Sequence, residues 1–148
     1  MNVREQIVAV GRGWMTPRTP FHHQQAVKGV GCDCIGFIGG VAAEAGIDSS
    51  WVNGAAARFQ GYGREPNPAM IETACAAFLV PIPIAAATLA DIFLLRWRKL
   101  PQHFALISRL DPMYILHAWE SPGEVVENRV DIVWRSRVLR AYRFRGLA

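Results

Sequence analysis

The chain has 148 residues, a length that fits one domain with a single hydrophobic core. Hydrophobic residues make up 51% of it and charged residues 19%, which excludes general disorder. The formal net charge of +4 is mildly basic, and three unevenly spaced cysteines exclude a disulfide framework. We therefore expect one globular domain over residues 1–148.

The N-terminal segment "VREQIVAVGRGW" has apolar residues at positions 3, 7, 8, 10 and 14. This spacing predicts a short amphipathic helix that its glycines close. Arg4 and Glu5, with no long apolar core behind them, argue against a secretory signal. The next segment, "MTPRTPFHHQQAVKGVG", is rich in turn residues and predicts an ordered loop.

A second helix is predicted from Cys34 to Ala45, ending at Gly46, because apolar residues recur there at helical spacing. Each internal glycine weakens such a helix by up to about 1 kcal/mol relative to alanine. That cost is tolerated where another part of the chain packs very close, so we expect this helix to be central. The glycines concerned are Gly36, Gly39 and Gly40.

Residues 47–68 form a polar, loop-like stretch, and "PAMIETACAAFLV" predicts a third helix opened by Asn67 and Pro68. Cys75 should be buried within it. Residues 73–90 are uncharged for almost the length of a membrane span, but two prolines interrupt them. We therefore expect no membrane insertion, and instead a buried helix, a Pro-rich turn and the approach to a strand.

The texture after Pro83 changes to short β-type runs separated by turn signals. The runs are "DIFLLRW", "HFALIS", "MYILHAW", "GEVVENRV" and "IVWRSRVLRAYRF". Helices followed by an antiparallel meander predict an α+β fold, with N-terminal helices packed on a C-terminal sheet.

Five arginines and no acidic residue occupy positions 135–145. A nucleic-acid surface is one interpretation of this tail. The arginines alternate with apolar residues, however, which is typical of a strand with one solvated face. We favour that face, or a site for an acidic partner, over nucleic acid.

Cys34 is the better of two neighbouring candidates for a nucleophile. It stands at the predicted helix start, where free backbone N–H groups lower a thiol pKa, with Asp33 before it as a plausible N-cap. Asp33 could instead tune the nucleophile or contact substrate. Cys32, two residues earlier in a glycine-rich turn, has no comparable advantage.

Four histidines are available, as the pair His22 and His23 and as His103 and His117 on successive predicted strands. A hairpin around Asp111-Pro112 would place His103 beside His117. One ring could then act as a base while the other orients it, although two unrelated core or surface histidines remain an alternative.

Other chemistries fit less well. A metal site from Cys32, Cys34 and some histidines would have the C-x-C spacing, which suits zinc poorly, and a redox pair lacks a thioredoxin-like context. We expect no metal and no cofactor. Trp51 and Trp119 could line a substrate groove or belong to the core, and Glu127 could bind a substrate amine or be solvated.

Several motifs together resemble the NlpC/P60 cysteine peptidases. "GCDCIGFIGG" resembles their D-C-x-G signature, and "ADIFLLRW" their G-D-hydrophobic strand, with Ala90 where glycine is usual. "HFALIS" and "YILHAW" resemble their two histidine strands. The phage and gene-transfer-agent branch is the most similar, through "TP-x-x-HQ-x-x-x-KGVGCDCxG" at Thr19 to Gly36 and "VVE...W..R" at Val125 to Arg135.

The resemblance implies a papain-like fold and a peptidase that cleaves amide bonds in peptidoglycan stem peptides. It makes Cys34 the nucleophile, His103 the general base and His117 the third, orienting residue. Asp33, Phe21 and Trp119 are candidate substrate-binding residues. Two positions depart from the family pattern, and the first is Phe21, which stands where many relatives have a tyrosine. Phe104-Ala105 likewise replaces the small-residue pair that follows the histidine.

The same resemblance implies a place in a phage-like tail tip. The protein would be made in the cytoplasm without a signal peptide, join tail or hub proteins in a virion-like particle, and act in the periplasm of a target cell. A structural tail-hub protein that keeps the peptidase fold with little activity is the alternative.

Overall fold

The computed structural model describes residues 1–22, 25–47, 75–97, 100–120 and 122–148. His23, Trp51, nearly all of the predicted 47–68 loop and the predicted helix start at Asn67-Pro68 lie outside these ranges.

The elements follow one another in an order close to the predicted one. They are α1 (Val3–Gly13), β1 (Ala26–Val27), β2 (Gly31–Cys32), α2 (Cys34–Glu44), β3 (Leu79–Ile82), a 3-10 helix (Ile84–Ala86), β4 (Ile92–Trp97), β5 (Leu100–Leu110), β6 (Met113–Trp119), β7 (Glu124–Arg129), α3 (Ile132–Ser136) and β8 (Val138–Phe144). Residues 75–78 are also helical. None of the helices in the described residues is long and apolar enough to span a membrane.

One antiparallel sheet carries most of the fold, with the strand order β3-β8-β4-β5-β6-β7. β4 to β7 form the predicted meander, and β8 returns to pair with β4 on its other side. The α+β prediction is confirmed. A separate two-stranded hairpin, β1–β2, lies within the segment that was predicted to be loop.

Local signals define both ends of α2. Asp33 caps the N terminus by accepting a hydrogen bond from the backbone N–H of Gly36 at 2.7 Å. At the C terminus, Gly46 adopts φ 72°, and the N–H groups of Gly46 and Ile47 donate back to Ala43 and Ala42. This is the Schellman arrangement, in which glycine takes the left-handed position.

The glycines of α2 allow close packing, as predicted. A Cβ on Gly36 would lie 2.0 Å from the carbonyl oxygen of Gln25, and a Cβ on Gly40 would lie 2.2 Å from the ring of Trp14. The middle of α2 is fully buried between these neighbours and the sheet. The expectation of a central helix is therefore confirmed.

The sheet has an apolar cluster on each face. Ile92 and Leu94 point into the cluster that contains α1 and α2, whereas Phe93 and Leu95 alternate into the other. α2 therefore packs on one face of the sheet. The second cluster is completed by partly buried side chains that include Trp134 of α3.

Two predictions for the second half of the chain are wrong. Residues 132–136 form the short helix α3 instead of a strand, because Asp131 accepts a hydrogen bond from the backbone N–H of Trp134 and caps it. Leu79 and Val80, predicted to end the third helix, and Pro81, predicted to lie in a turn, all belong to β3. β3 is an edge strand, where a residue without an N–H is tolerated.

The arginine-rich tail is only partly a solvated face. Arg143 pairs with the fully buried carboxylate of Asp91 at 2.9 Å, and Arg4 pairs with the same group at 3.0 Å. Burial raises the pKa of Asp91, but the hydrogen bonds from Arg143, Thr88 and Arg4 outweigh it and leave the pKa below its usual value. This residue precedes β4, so the ion pairs tie both chain ends to the central strand.

Candidate active site

Cys34 is the first residue of α2, as predicted, and is the only partly exposed cysteine of the three. Cys32 is fully buried in β2 and Cys75 is buried in the first core cluster. Of the three cysteines, Cys34 is therefore the residue that lies nearest to solvent.

β5 and β6 are not paired at the end of the ladder that lies near Cys34. In the described residues, the paired positions of β5 and β6 begin at Leu106 and Leu116, although both strands extend further on that side. Ile107 donates its N–H toward β4, to Asp91, at 2.8 Å. Because N–H directions alternate along a strand, Phe104 points its N–H toward the unpaired side.

The N–H of Phe104 has a hydrogen-bond acceptor on this unpaired side. It hydrogen-bonds to the sulfur of Cys34 and favours the thiolate, as do the N–H groups of Cys34 and Ile35. The nucleophile candidate is thus held beside the residue that follows His103. The point of contact is the edge at which the β5–β6 ladder ends.

The expected low thiol pKa is not found. Burial and the neighbouring charge of Asp33 raise the pKa of Cys34 to about 12, against the three backbone N–H groups, which lower it. The prediction failed because it counted the helix start and left out the desolvation and the carboxylate of the N-cap. The thiol is therefore neutral at rest.

The predicted hairpin brings the two strand histidines together. His103 Nε2 lies 2.5 Å from His117 Nδ1, within hydrogen-bond distance, and the ring centroids are 4.8 Å apart. His117 is fully buried, and His103 is partly buried. The second ring is thus placed to orient the first.

Both imidazoles are uncharged near neutral pH. Burial, and then the proximity of His117, hold the pKa of His103 well below its ordinary value. Burial lowers the pKa of His117 to about 4, although its hydrogen bond to Asn128 acts in the opposite direction. Uncharged His103 is in the protonation state that a general base requires.

Asn128 is a site residue that the sequence reasoning missed. Its Oδ1 lies 2.7 Å from Nε2 of His117. His117 stands opposite Val126 in the β6–β7 ladder, so Asn128, two residues further along β7, shares the same face. The register of "GEVVENRV" against "MYILHAW" would have been needed to find it.

Two tryptophans surround His117. Trp119, a predicted substrate-binding residue, stacks on the imidazole with centroids 5.6 Å apart and an interplanar angle of 18°. Trp134, which was not singled out from the sequence, meets the same ring edge-on at 5.1 Å. The two indoles also contact each other at 5.0 Å. They enclose the buried histidine and leave Trp119 partly exposed.

Asp33 and Phe21 lie on the Cys34 side, and Glu127 lies on β7. Asp33 is buried as the N-cap of α2, which confirms the capping interpretation. Phe21 bridges to Cys32 and packs, like Cys34, against the first core cluster. Glu127 forms an ion pair with Arg12 at 3.0 Å.

No cluster of three or more His, Cys, Asp or Glu side chains suited to a metal ion occurs in the described residues. The metal interpretation needed, beside Cys32 and Cys34, some of the histidines His22, His23 and His103. His22 is exposed, His23 lies outside the described ranges, and His103 contacts His117.

Solved structures with a similar fold include two domains of the same kind. The crystal structure of the NlpC/p60 domain of peptidoglycan hydrolase SagA is 19% identical, with a TM-score of 0.58, and the match covers 95% of this chain and 97% of that one. A protein of the NLP/P60 family from Staphylococcus aureus subsp. aureus Mu50, described as similar to a lipoprotein, is 16% identical with a TM-score of 0.62. That match covers 94% of this chain and 41% of the other.

No protein-family model matches the sequence, and no curated protein matches it either. The likeness to the two solved structures establishes the fold: the chain has the α+β, papain-like arrangement of NlpC/P60 domains.

Proposed function

We propose that this protein is a cysteine peptidase that hydrolyses amide bonds in the stem peptides of peptidoglycan. One observation carries the proposal: a cysteine at a helix start lies beside a strand whose histidine is hydrogen-bonded to a second histidine. A nucleophile, a base and a group that orients the base are the parts that acyl transfer requires. The fold shared with a domain of a peptidoglycan hydrolase supports the choice of substrate.

The proposed reaction begins with a neutral thiol and neutral imidazoles. His103 takes the proton of Cys34 as the sulfur attacks the scissile carbonyl, and the resulting imidazolium is stabilised through its contact with His117. His103 then donates this proton to the leaving amine, and water hydrolyses the thioester. The raised pKa of Cys34 makes proton transfer part of the attack rather than a step completed beforehand.

The N terminus of α2 is placed to stabilise the negative charge that develops on the carbonyl oxygen of the substrate. We assign one oxyanion donor to the backbone N–H of Cys34, which is directed at its own sulfur before substrate binds and lies at the N terminus of an 11-residue helix. The helix dipole adds favourable potential at the same place.

The substrate contacts follow from the position of the remaining candidates. Trp119 is partly exposed beside His117, and Phe21 packs near Cys34, so the two aromatic residues are proposed to contact the stem peptide on either side of the reacting groups. Asp33 is buried and engaged as the cap of α2, so its proposed part is to tune the thiol rather than to contact the substrate directly.

Delivery is proposed to occur through a phage-like or gene-transfer-agent tail. The support is the sequence resemblance over Thr19 to Gly36 and Val125 to Arg135. In this proposal the protein is made in the cytoplasm, is incorporated with tail or hub proteins as a virion component, and acts in the periplasm of the target cell. A pull-down from assembled particles that recovers no tail protein would contradict it.

A structural tail-hub protein with little activity is the second candidate. One observation favours it: burial and Asp33 raise the pKa of Cys34, which makes the resting thiol a weak nucleophile.

Purified muropeptides decide between the two candidates. Wild-type protein should release a free amine and a carboxylate from the stem peptide, and Cys34→Ala should abolish this release. Cys32→Ala is the matched control at the buried neighbour, and it should keep the activity if the protein remains folded. Identical products from wild type and Cys34→Ala would reject the peptidase.

A further inference from the structure

The second imidazole of the site is engaged at both ring nitrogens. Nδ1 of His117 faces Nε2 of His103 at 2.5 Å, and Nε2 of His117 faces Oδ1 of Asn128 at 2.7 Å. His117 is fully buried, and the indoles of Trp119 and Trp134 cover its ring. Each of its nitrogens therefore has a partner in the protein.

The chemistry of Asn128 fixes the direction of these hydrogen bonds. An amide oxygen only accepts, and a neutral imidazole has one N–H and one lone pair. The proton of His117 must then be on Nε2, and its Nδ1 must accept. It follows that Nε2 of His103 is the donor between the rings, and that Nδ1 of His103 carries the free lone pair.

The opposite direction would disable the base. If His117 carried its proton on Nδ1, it would donate to Nε2 of His103, and the proton of His103 would have to be on Nδ1. No lone pair would then be left on His103 for the thiol of Cys34. The two histidines alone do not favour either direction, so a third group has to select one.

We propose that Asn128 is a positioning residue that selects the tautomer of His117 and, through it, the tautomer of His103, so that the Nδ1 lone pair of His103 is free to accept the proton of Cys34. This inference deepens the proposed function and rests on it. Asn128 does not touch the reacting atoms; it acts through two rings. The indoles of Trp119 and Trp134 pack on the ring of His117, so the partners of this imidazole are protein groups.

The direct test is the protonation pattern of the two rings in protein labelled with 15N-histidine. Two-bond 1H–15N correlation spectra at neutral pH should show both His103 and His117 in the Nε2–H form, with assignments from His103→Gln and His117→Gln. Wild-type spectra with the proton of His117 on Nδ1 would overturn the proposal, because the amide of Asn128 would then have to point its nitrogen at the ring.

Variants at position 128 add a second test. Asn128→Leu has a similar size without the acceptor and should populate the Nδ1–H form of His117. Asn128→Asp keeps an acceptor oxygen and should preserve the Nε2–H form. Arg129→Gln, at the exposed neighbouring position of β7, should leave the spectrum unchanged. Unaltered tautomers in folded Asn128→Leu would also refute the inference; should that variant fail to fold, the wild-type spectrum and Asn128→Asp still decide.

The chemical consequence is measured without any peptidase substrate. The rate at which iodoacetamide alkylates Cys34 should fall about tenfold to hundredfold in Asn128→Leu, by analogy with the loss of an outer hydrogen-bond partner of a metal-binding histidine, and Asn128→Asp should recover most of it. Muropeptide cleavage is assayed in parallel. If cleavage is absent while tautomers and alkylation behave as expected, the peptidase proposal fails and the role of Asn128 stands; if cleavage occurs and Asn128→Leu alters neither tautomer nor alkylation, only the role of Asn128 fails.

Discussion

The indole of Trp14 occupies the space that any side chain at Gly40 would need. A Cβ built on Gly40 would lie 2.2 Å from the ring, and the ring is held in place by its Nε1–H, which donates to Glu44 at 2.8 Å. Trp14 follows α1, whereas Gly40 and Glu44 belong to α2. This contact sets how closely α1 and α2 approach each other. Because Cys34 is the first residue of α2, the contact also affects the position of Cys34 relative to the sheet.

Gly40→Ala should therefore destabilise the protein although alanine is the better helix former. Overpacking of this kind costs about 1–3 kcal/mol, more than the roughly 1 kcal/mol that the substitution gains in helix propensity. Urea unfolding followed by tryptophan fluorescence measures the difference. Gly13→Ala is the control, because its Cβ would meet only the flexible end of Lys28 at 3.1 Å. Equal stability of Gly40→Ala and wild type would show that the ring moves aside at little cost.

The carboxylate of Asp33 has two effects that substitutions can separate. Asp33→Asn removes the charge that raises the pKa of Cys34 but keeps a good helix cap, so the thiol pKa should fall with little loss of stability. Asp33→Ala removes both and should also cost about 0.5–2 kcal/mol in the free energy of unfolding. Absorbance of the thiolate near 240 nm against pH gives the first quantity, and urea unfolding gives the second. A thiol pKa that stays unchanged in Asp33→Asn would contradict the assigned cause.

Thiol-specific labelling should distinguish the three cysteines by burial alone. The native protein should take up one equivalent of reagent, at Cys34, and the unfolded protein three, because Cys32 and Cys75 are 0% and 3% exposed. The labelling rate should keep rising above pH 9, since the pKa of Cys34 is raised to about 12. Mass spectrometry of the labelled peptides is the measurement. A rate that levels off below pH 8 would indicate a preformed thiolate instead.

The two buried imidazoles should make the fold sensitive to mild acid. The pKa of His117 is lowered from 6.5 to about 4, so between these pH values the unfolded chain binds a proton that the folded protein does not. The contribution of each neutral histidine to the free energy of unfolding is therefore fully present above pH 6.5. It is lost as the pH falls, by up to about 1.4 kcal/mol per pH unit. His103, whose pKa is also lowered, adds to the same trend. Urea midpoints measured from pH 7.5 to 4.5 test this; a flat profile over that range would exclude neutral, buried histidines.

Sequence patterns predicted the parts of the site that lie on regular elements. Helical periodicity and an N-cap placed Cys34, and two strands joined by a turn placed His103 beside His117. Asn128 was missed because its role depends on the register between β6 and β7, which hydrophobic alternation in one strand does not define. The prediction of a low thiol pKa was wrong for a similar reason, because the burial that raises the pKa of Cys34 depends on the assembled fold.

Backbone conformation explains a further difference between pattern and structure. Ala90 has φ 67°, in the left-handed region that glycine adopts without strain, and its side chain is fully buried. The family pattern usually has glycine at this position, before the strand that corresponds to β4. This chain has the same kind of left-handed backbone conformation there, with alanine in place of glycine. A sequence alone does not reveal a positive φ at a residue other than glycine.

The amide of Phe104 has one hydrogen to donate and two possible acceptors: a carbonyl of β6, if the strands paired one step further, or the sulfur of Cys34. The fold gives it to the sulfur. A longer β5–β6 ladder and the hydrogen bond to the sulfur of Cys34 would use the same hydrogen of Phe104, so they exclude each other. The unpaired end of β5 is thus the feature that leaves this N–H available to the sulfur of Cys34.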